Sequence, residues 1–163
     1  MKDLYLIAMV LAGTVVLVGG GTYLFGTEEL PADVAPSGDT KLVVENTNHS
    51  WGEIPINGGN VRAEFMIKNE GEAPLRLFDV STSCTCTTAQ LEINGKKSPE
   101  FSMHTKSGYV TEVPPGESAK LKIEFDPAFH GPQGVGAMTR QIRMKTNDAE
   151  RQELMFTMDG VVI

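Results

Sequence analysis

Cys84 and Cys86 are the two cysteines of the chain, and Thr85 alone separates them in the run Ser83-Cys84-Thr85-Cys86-Thr87-Thr88. In an extended strand the side chains at i and i+2 leave on the same face, so both thiols are expected to project to one side. Such a pair has three readings. It can pack as two small buried thiols. It can close a very small disulfide ring, strained and therefore easily reduced. Or it can hold a soft ion such as Cu(I) or Zn, with a Met or His from a neighbouring loop. The candidate third and fourth ligands are Met103 and His104, in the irregular stretch 97–108, and His130, in the Gly- and Pro-rich loop 127–136. As plain loop residues, His104 and His130 would simply be exposed.

No other constellation promises chemistry. There is no Walker-type phosphate loop, dinucleotide fingerprint or zincin helix motif. No spacing points to a serine, histidine and aspartate set. The expectation is a non-enzymatic protein with no catalytic residues, whose cysteine pair suits Cu(I) as a cofactor. A net charge of −7 argues against nucleic acid, because nothing would neutralise a row of phosphates. The same balance argues against docking on anionic lipid through a basic patch. Glu28, Glu29 and Asp33 belong to a solvated linker, and Arg140 and Arg143 beside Lys145 read as an ordinary charged strand face. His49 sits beside Trp51, the lone tryptophan, which by type belongs in a core.

At 163 residues the chain has room for one domain and an anchor. Residues 4–25 carry no charge, and a run of about 22 residues is close to the roughly 20 that cross a hydrocarbon core as a helix. Lys2 precedes the run and Glu28, Glu29 and Asp33 follow it, which favours an inside amino terminus and an exported domain. A cleaved signal peptide, cut among Gly19, Gly20 and Gly21, is the rival reading and exports the domain equally. The expected organisation is thus an anchor or signal over 1–26, a linker over 27–40 and a domain over 41–163.

The domain reads as all-β. Val61, Ala63, Phe65 and Ile67 alternate with Arg62, Glu64, Met66 and Lys68; Ala119, Leu121, Ile123 and Phe125 with Lys120, Lys122 and Glu124; and Leu154, Phe156 and Met158 with Met155, Thr157 and Asp159. Period-two alternation marks strands with one buried and one wet face. Further strands are expected at 42–45, 75–80, 87–93 and 141–145, with Asn94-Gly95 as a tight hairpin turn. About seven short strands and no amphipathic helix point to an immunoglobulin-like sandwich, whose end loops are where function concentrates.

Trp51-Gly52-Glu53-Ile54, Phe65-Met66-Ile67-Lys68-Asn69-Glu70-Gly71, Pro74-Leu75 and the Ser83–Thr87 run together resemble the bacterial domain-of-unknown-function family 1573. The family is itself related to the ASPM/SPD-2/Hydin group of immunoglobulin-like domains. Pro115-Gly116-Glu117-Ser118-Ala119, Phe125-Asp126-Pro127 and Thr146-Asn147-Asp148 extend the resemblance to about residues 47–162. The family commonly has Gly between the cysteines; Thr85 here favours an extended backbone and disfavours a tight turn. The resemblance implies an exported sandwich and assigns no reaction. The leading functional expectation is a membrane-tethered binding or structural module that engages another cell-envelope protein. Copper or thiol-redox handling is the alternative.

Overall fold

The computed structural model describes residues 5, 7, 9–16, 32, 34–105 and 107–163. Ten strands occur among the described residues: β1 (Leu42–Val43), β2 (Asn48–Ile54), β3 (Val61–Asn69), β4 (Leu75–Thr82), β5 (Thr87–Ile93), β6 (Lys96–Lys97), β7 (Thr111–Val113), β8 (Ser118–Phe125), β9 (Gly136–Thr146) and β10 (Glu153–Val162). They form two five-stranded sheets, ordered β1-β3-β8-β5-β6 and β2-β10-β9-β4-β7. The domain is an immunoglobulin-like β-sandwich. The count exceeds the expected seven by three: β6 and β7 are short edge pieces, and β2 shows no apolar alternation. Its residues 48–54 lie mostly exposed at the edge of a sheet, and β2 pairs in parallel with β10.

Alternation does the work elsewhere. In β3 and β8 every second residue from Ala63 and from Ala119 is buried, and the two strands pair antiparallel from Val61↔Phe125 to Lys68↔Ser118. Phe65 of this sheet meets Phe156 of the other, ring centroids 4.8 Å apart. Ile67, Leu75, Leu77, Leu121 and Ile142 close the layer between the sheets with no exposed surface. Each such side chain contributes roughly 1.5–3 kcal/mol by leaving water. Asn94 (φ 50°) and Gly95 (φ 77°) form the expected two-residue turn between the pairs Glu92↔Lys97 and Ile93↔Lys96, since a primed turn needs φ > 0 at both positions.

The wet face of the first sheet carries cross-strand ion pairs, among them Lys122–Glu92 at 2.7 Å and Arg62–Glu124 at 2.7 Å. The Asn60 amide and then the Arg62 guanidinium hold the Glu124 carboxyl below the usual carboxylate range. A carboxylate with a lowered folded-state value stabilises above its unfolded value near 4.3, and that contribution fades as pH falls through the lowered one. Because Glu124 is largely solvated, Glu124→Gln is expected to cost less than about 1 kcal/mol near neutrality. The difference from wild type should vanish in acid, which urea unfolding at a series of pH values will read.

Among the described residues, packing against the sandwich is already established at Ser37. Ser37 bridges to Asp148 in parallel, Thr40 is buried, and the Leu42 amide donates to the Asp148 carboxylate at 2.7 Å. Residues 37–40, read as the end of a linker, therefore lie against the sandwich. Most of the anchor expected over 1–26 lies outside the described residues. Within it residues 9–16 are helical and exposed, and among the described residues no helix is long and apolar enough to cross a membrane.

Candidate functional site

Three pieces of chain meet at the end of the sandwich where β4 ends and β5 and β9 begin. The first is the β4–β5 connection. Cys84 to Cys86 is a turn and not the extended strand expected from sequence: Thr85 and Cys86 are turn residues, and the Thr87 amide closes on the Cys84 carbonyl at 3.2 Å. The Cα atoms of the cysteines are 5.2 Å apart, against about 6.6–7 Å for two fully extended residues. The Thr82 hydroxyl shares its one proton between the Cys84 carbonyl (2.8 Å) and the Thr87 carbonyl (3.1 Å) and, with the bond between the two sulfurs, pins the chain into a tight corner. This local bonding outweighs the extended preference of β-branched Thr85. The cysteines are joined as a disulfide.

The second piece is the loop after β8. Asp126 donates its amide to the Cys86 carbonyl at 3.0 Å and accepts the Ala128 amide on its carboxylate at 2.8 Å, an Asx turn that starts the loop. A 3₁₀ turn follows at Gly131–Gly134. Between them His130 is held edge-on to Phe129, with Nε2 3.5 Å from Cys84 Sγ. The third piece is the start of β9, fastened to the cysteine turn by Ser83 N–H to the Gln141 carbonyl and Gln141 N–H to the Ser83 hydroxyl, both 2.9 Å.

That third piece brings Arg140. Its Nε donates to Cys86 Sγ at 3.1 Å, and its guanidinium lies 5.2 Å over the Phe125 ring. Trp51 stacks on the other side of the assembly, 5.6 Å from Phe125, and donates its indole N–H to the Arg62 carbonyl. It is half-buried, less enclosed than a core tryptophan, because it caps a small apolar cluster of Ile54, Cys86, Phe125, Met138 and Val162. Burial pushes the Arg140 guanidinium below its ordinary value. The reading of Arg140 as an ordinary exposed charge is therefore corrected. A signal existed: Arg140 shares the inward parity of Met138, Ile142 and Met144, but a strand drawn from Gln141 stops one residue short of it.

Of the proposed ligands, the structure brings together Cys84, Cys86 and His130, whose donor atoms lie within 4.8 Å of one another. His104 lies outside that group; it and Met103 occupy an exposed turn. While the sulfurs are bonded to each other neither is a thiolate, so the donor set becomes a soft-metal site only after reduction. The oxidised arrangement can instead undergo thiol–disulfide exchange.

Residues 42–100 match the model of DUF1573, described as a protein of unknown function. The cysteine pair lies inside the DUF1573 match. His130 and Arg140 lie beyond it, as do the later motifs that carried the resemblance to residue 162. A protein of unknown function from Porphyromonas gingivalis W83 is 24% identical over 79% of this chain and 49% of its own, with a TM-score of 0.57. That likeness bears on the fold alone, and the chain spans about half that protein's length. Looser likenesses are to the ASH/PapD-like domain of human CEP192 (14% identity, 85% and 96% coverage, TM-score 0.48) and to the YadV chaperone (11%, 74% and 51%, 0.46). No curated protein matches the chain.

Proposed function

We propose that this protein is a membrane-tethered module of the cell envelope, an immunoglobulin-like sandwich that binds or braces another envelope protein on the outer side of the membrane. The observation that carries the reading is the helix of residues 9–16. Met9, Val10, Leu11, Val15 and Val16 are all more than half exposed, so apolar side chains face outward without cover from the sandwich. A helix apolar all round belongs inside a protein core or a lipid bilayer, and the uncharged run 4–25 is of spanning length. The sandwich in turn offers end loops, and the exposed edge strand β2, to a partner.

The full chain is expected to sediment with membranes, to stay there through an alkaline carbonate wash, and to be digested by protease added outside intact spheroplasts. Recovery of the uncut chain in the soluble fraction would refute the tether. A mature mass beginning among Gly19, Gly20 and Gly21 would replace the anchor by a cleaved signal. Crosslinking in whole cells should trap a discrete envelope partner, and its absence would count against the binding role. A second reading, Cu(I) handling, is supported by the convergence of Cys84, Cys86 and His130. It requires that the reduced protein retain one Cu(I) in native mass spectrometry, which a Cys84→Ser, Cys86→Ser double variant should lose.

A further inference from the structure

We infer that the Cys84–Cys86 disulfide is a dithiol-exchange site: it accepts two electrons from a partner carrying two neighbouring thiols, with Cys84 the sulfur attacked and Arg140 the residue that holds the departing Cys86 sulfur. The inference goes beyond the tethering proposal and stands or falls separately from it.

The site is asymmetric. Cys86 is 3% exposed and sits in an apolar cluster, whereas Cys84 is half-buried and faces the exposed His130. An attacking thiolate can therefore reach Cys84 Sγ more readily than Cys86 Sγ. The cation is also misplaced for the oxidised state. A disulfide sulfur is a poor acceptor, yet Arg140 Nε lies 3.1 Å from Cys86 Sγ, and among the described residues no carboxylate pairs with Arg140. The same N–H···S contact becomes charge-assisted once Cys86 is a thiolate. Phe125, under the guanidinium, and Trp51, stacked on Phe125, keep it there. Glu100, Glu124 and Asp126 line the cleft beside Cys86 and would oppose a thiolate. Glu124 is paired with Arg62, while Glu100 and Asp126 keep their opposition, and Arg140 is the cation in hydrogen-bond contact with the sulfur.

The exchange balances without a further reagent. A partner thiolate attacks Cys84 Sγ, the Cys84–Cys86 bond breaks, and its electron pair leaves on Cys86 Sγ beside Arg140. The partner's second thiolate then attacks its own sulfur in the mixed disulfide, and the Cys84–partner bond breaks with its electron pair on Cys84 Sγ, where His130 can hydrogen-bond it. The two protons of the partner's thiols end on the cysteines or in solvent. The chain becomes a dithiol and the partner a disulfide. Stabilising the reduced form in this way makes the oxidised form a stronger oxidant.

The test equilibrates the full chain with mixtures of reduced and oxidised dithiothreitol at neutral pH, quenches with acid, alkylates, and reads the reduced fraction by intact mass. Wild type should be reduced without denaturant. Arg140→Gln should lower the equilibrium constant for reduction about tenfold, the equivalent of one pKa unit of lost thiolate stabilisation, and Arg140→Lys should restore part of it. In alkaline buffer that ionises both thiols, so that access alone decides, Cys86→Ser, which leaves Cys84 free, should form a mixed disulfide with oxidised glutathione faster than Cys84→Ser. This comparison keeps the inference testable should the Arg140 variants not fold. A disulfide inert until the protein unfolds would overturn the inference. So would equal equilibria in wild type and Arg140→Gln, or equal reactivity of the two single cysteines.

Discussion

Asn69→Ala is expected to destabilise the sandwich by about 3 kcal/mol, because three backbone groups, one buried and two partly buried, lose their partner at once, each worth roughly 1–3 kcal/mol when stranded and less where water gains access. Asn69 ends β3 with no exposed surface. Its Nδ2 donates to the carbonyls of Ala73 and Val113, both at 2.8 Å, and its Oδ1 accepts the Gly71 amide at 2.9 Å. Its own backbone is bonded as well, N–H to the Glu117 carbonyl and carbonyl to the Gly116 N–H. One amide thus ties the β3–β4 turn to the end of β7. Asn69→Asp is expected to be as damaging: it keeps the acceptor but turns an oxygen toward two carbonyls. Urea unfolding of both variants checks this, and a loss below about 1 kcal/mol in Asn69→Ala would mean that water replaces the side chain.

Gly71→Ala is the second large effect, also about 3 kcal/mol and at the upper end of ordinary overpacking. A Cβ there would lie 2.5 Å from both the Asp39 carbonyl oxygen and the Lys41 nitrogen, and 2.7 Å from Thr40 Cα. All are backbone, so no side chain can swing away. The only relief is to push segment 37–43 off the turn. That breaks the Glu70 N–H bond to the Lys41 carbonyl and the Glu72 and Ala73 N–H bonds to the Asp39 carbonyl. Gly95→Ala is the informative contrast. Gly95 has open space where its Cβ would go but a φ of +77°, so its cost is the left-handed strain alone, about 1–2 kcal/mol. Calorimetry on both variants, with hydrogen exchange at the Leu42 and Glu70 amides, separates the cases. Fast exchange at those amides is expected in Gly71→Ala and not in Gly95→Ala. Equal stabilities would show that the segment yields freely.

The buried positions of β3, β5, β8 and β10 and the Asn94-Gly95 hairpin follow from sequence alone, because period-two alternation and a primed turn are local properties of neighbouring residues. The presence of a cysteine pair and of histidines that could serve it was legible for the same reason, as residue type and spacing. Which histidine serves was not: His104 and His130 are alike as loop residues, and only the Asx turn at Asp126 and its bond to the Cys86 carbonyl carry His130 to Cys84. The corner at Cys84 also depended on a partner outside the motif, the Thr82 hydroxyl, which overrode the extended preference of Thr85. β2 escaped notice because an edge strand that exposes most of its residues has no alternation to read, and its partner β10 lies about a hundred residues away. Arg140 was visible as a charge and hidden as a contact. Its type and inward parity are written in the chain, but its place against Cys86 and Phe125 exists only where β9, β8 and the β4–β5 turn pack together. Local pattern determined which residues are buried, and long-range packing decided which of them touch.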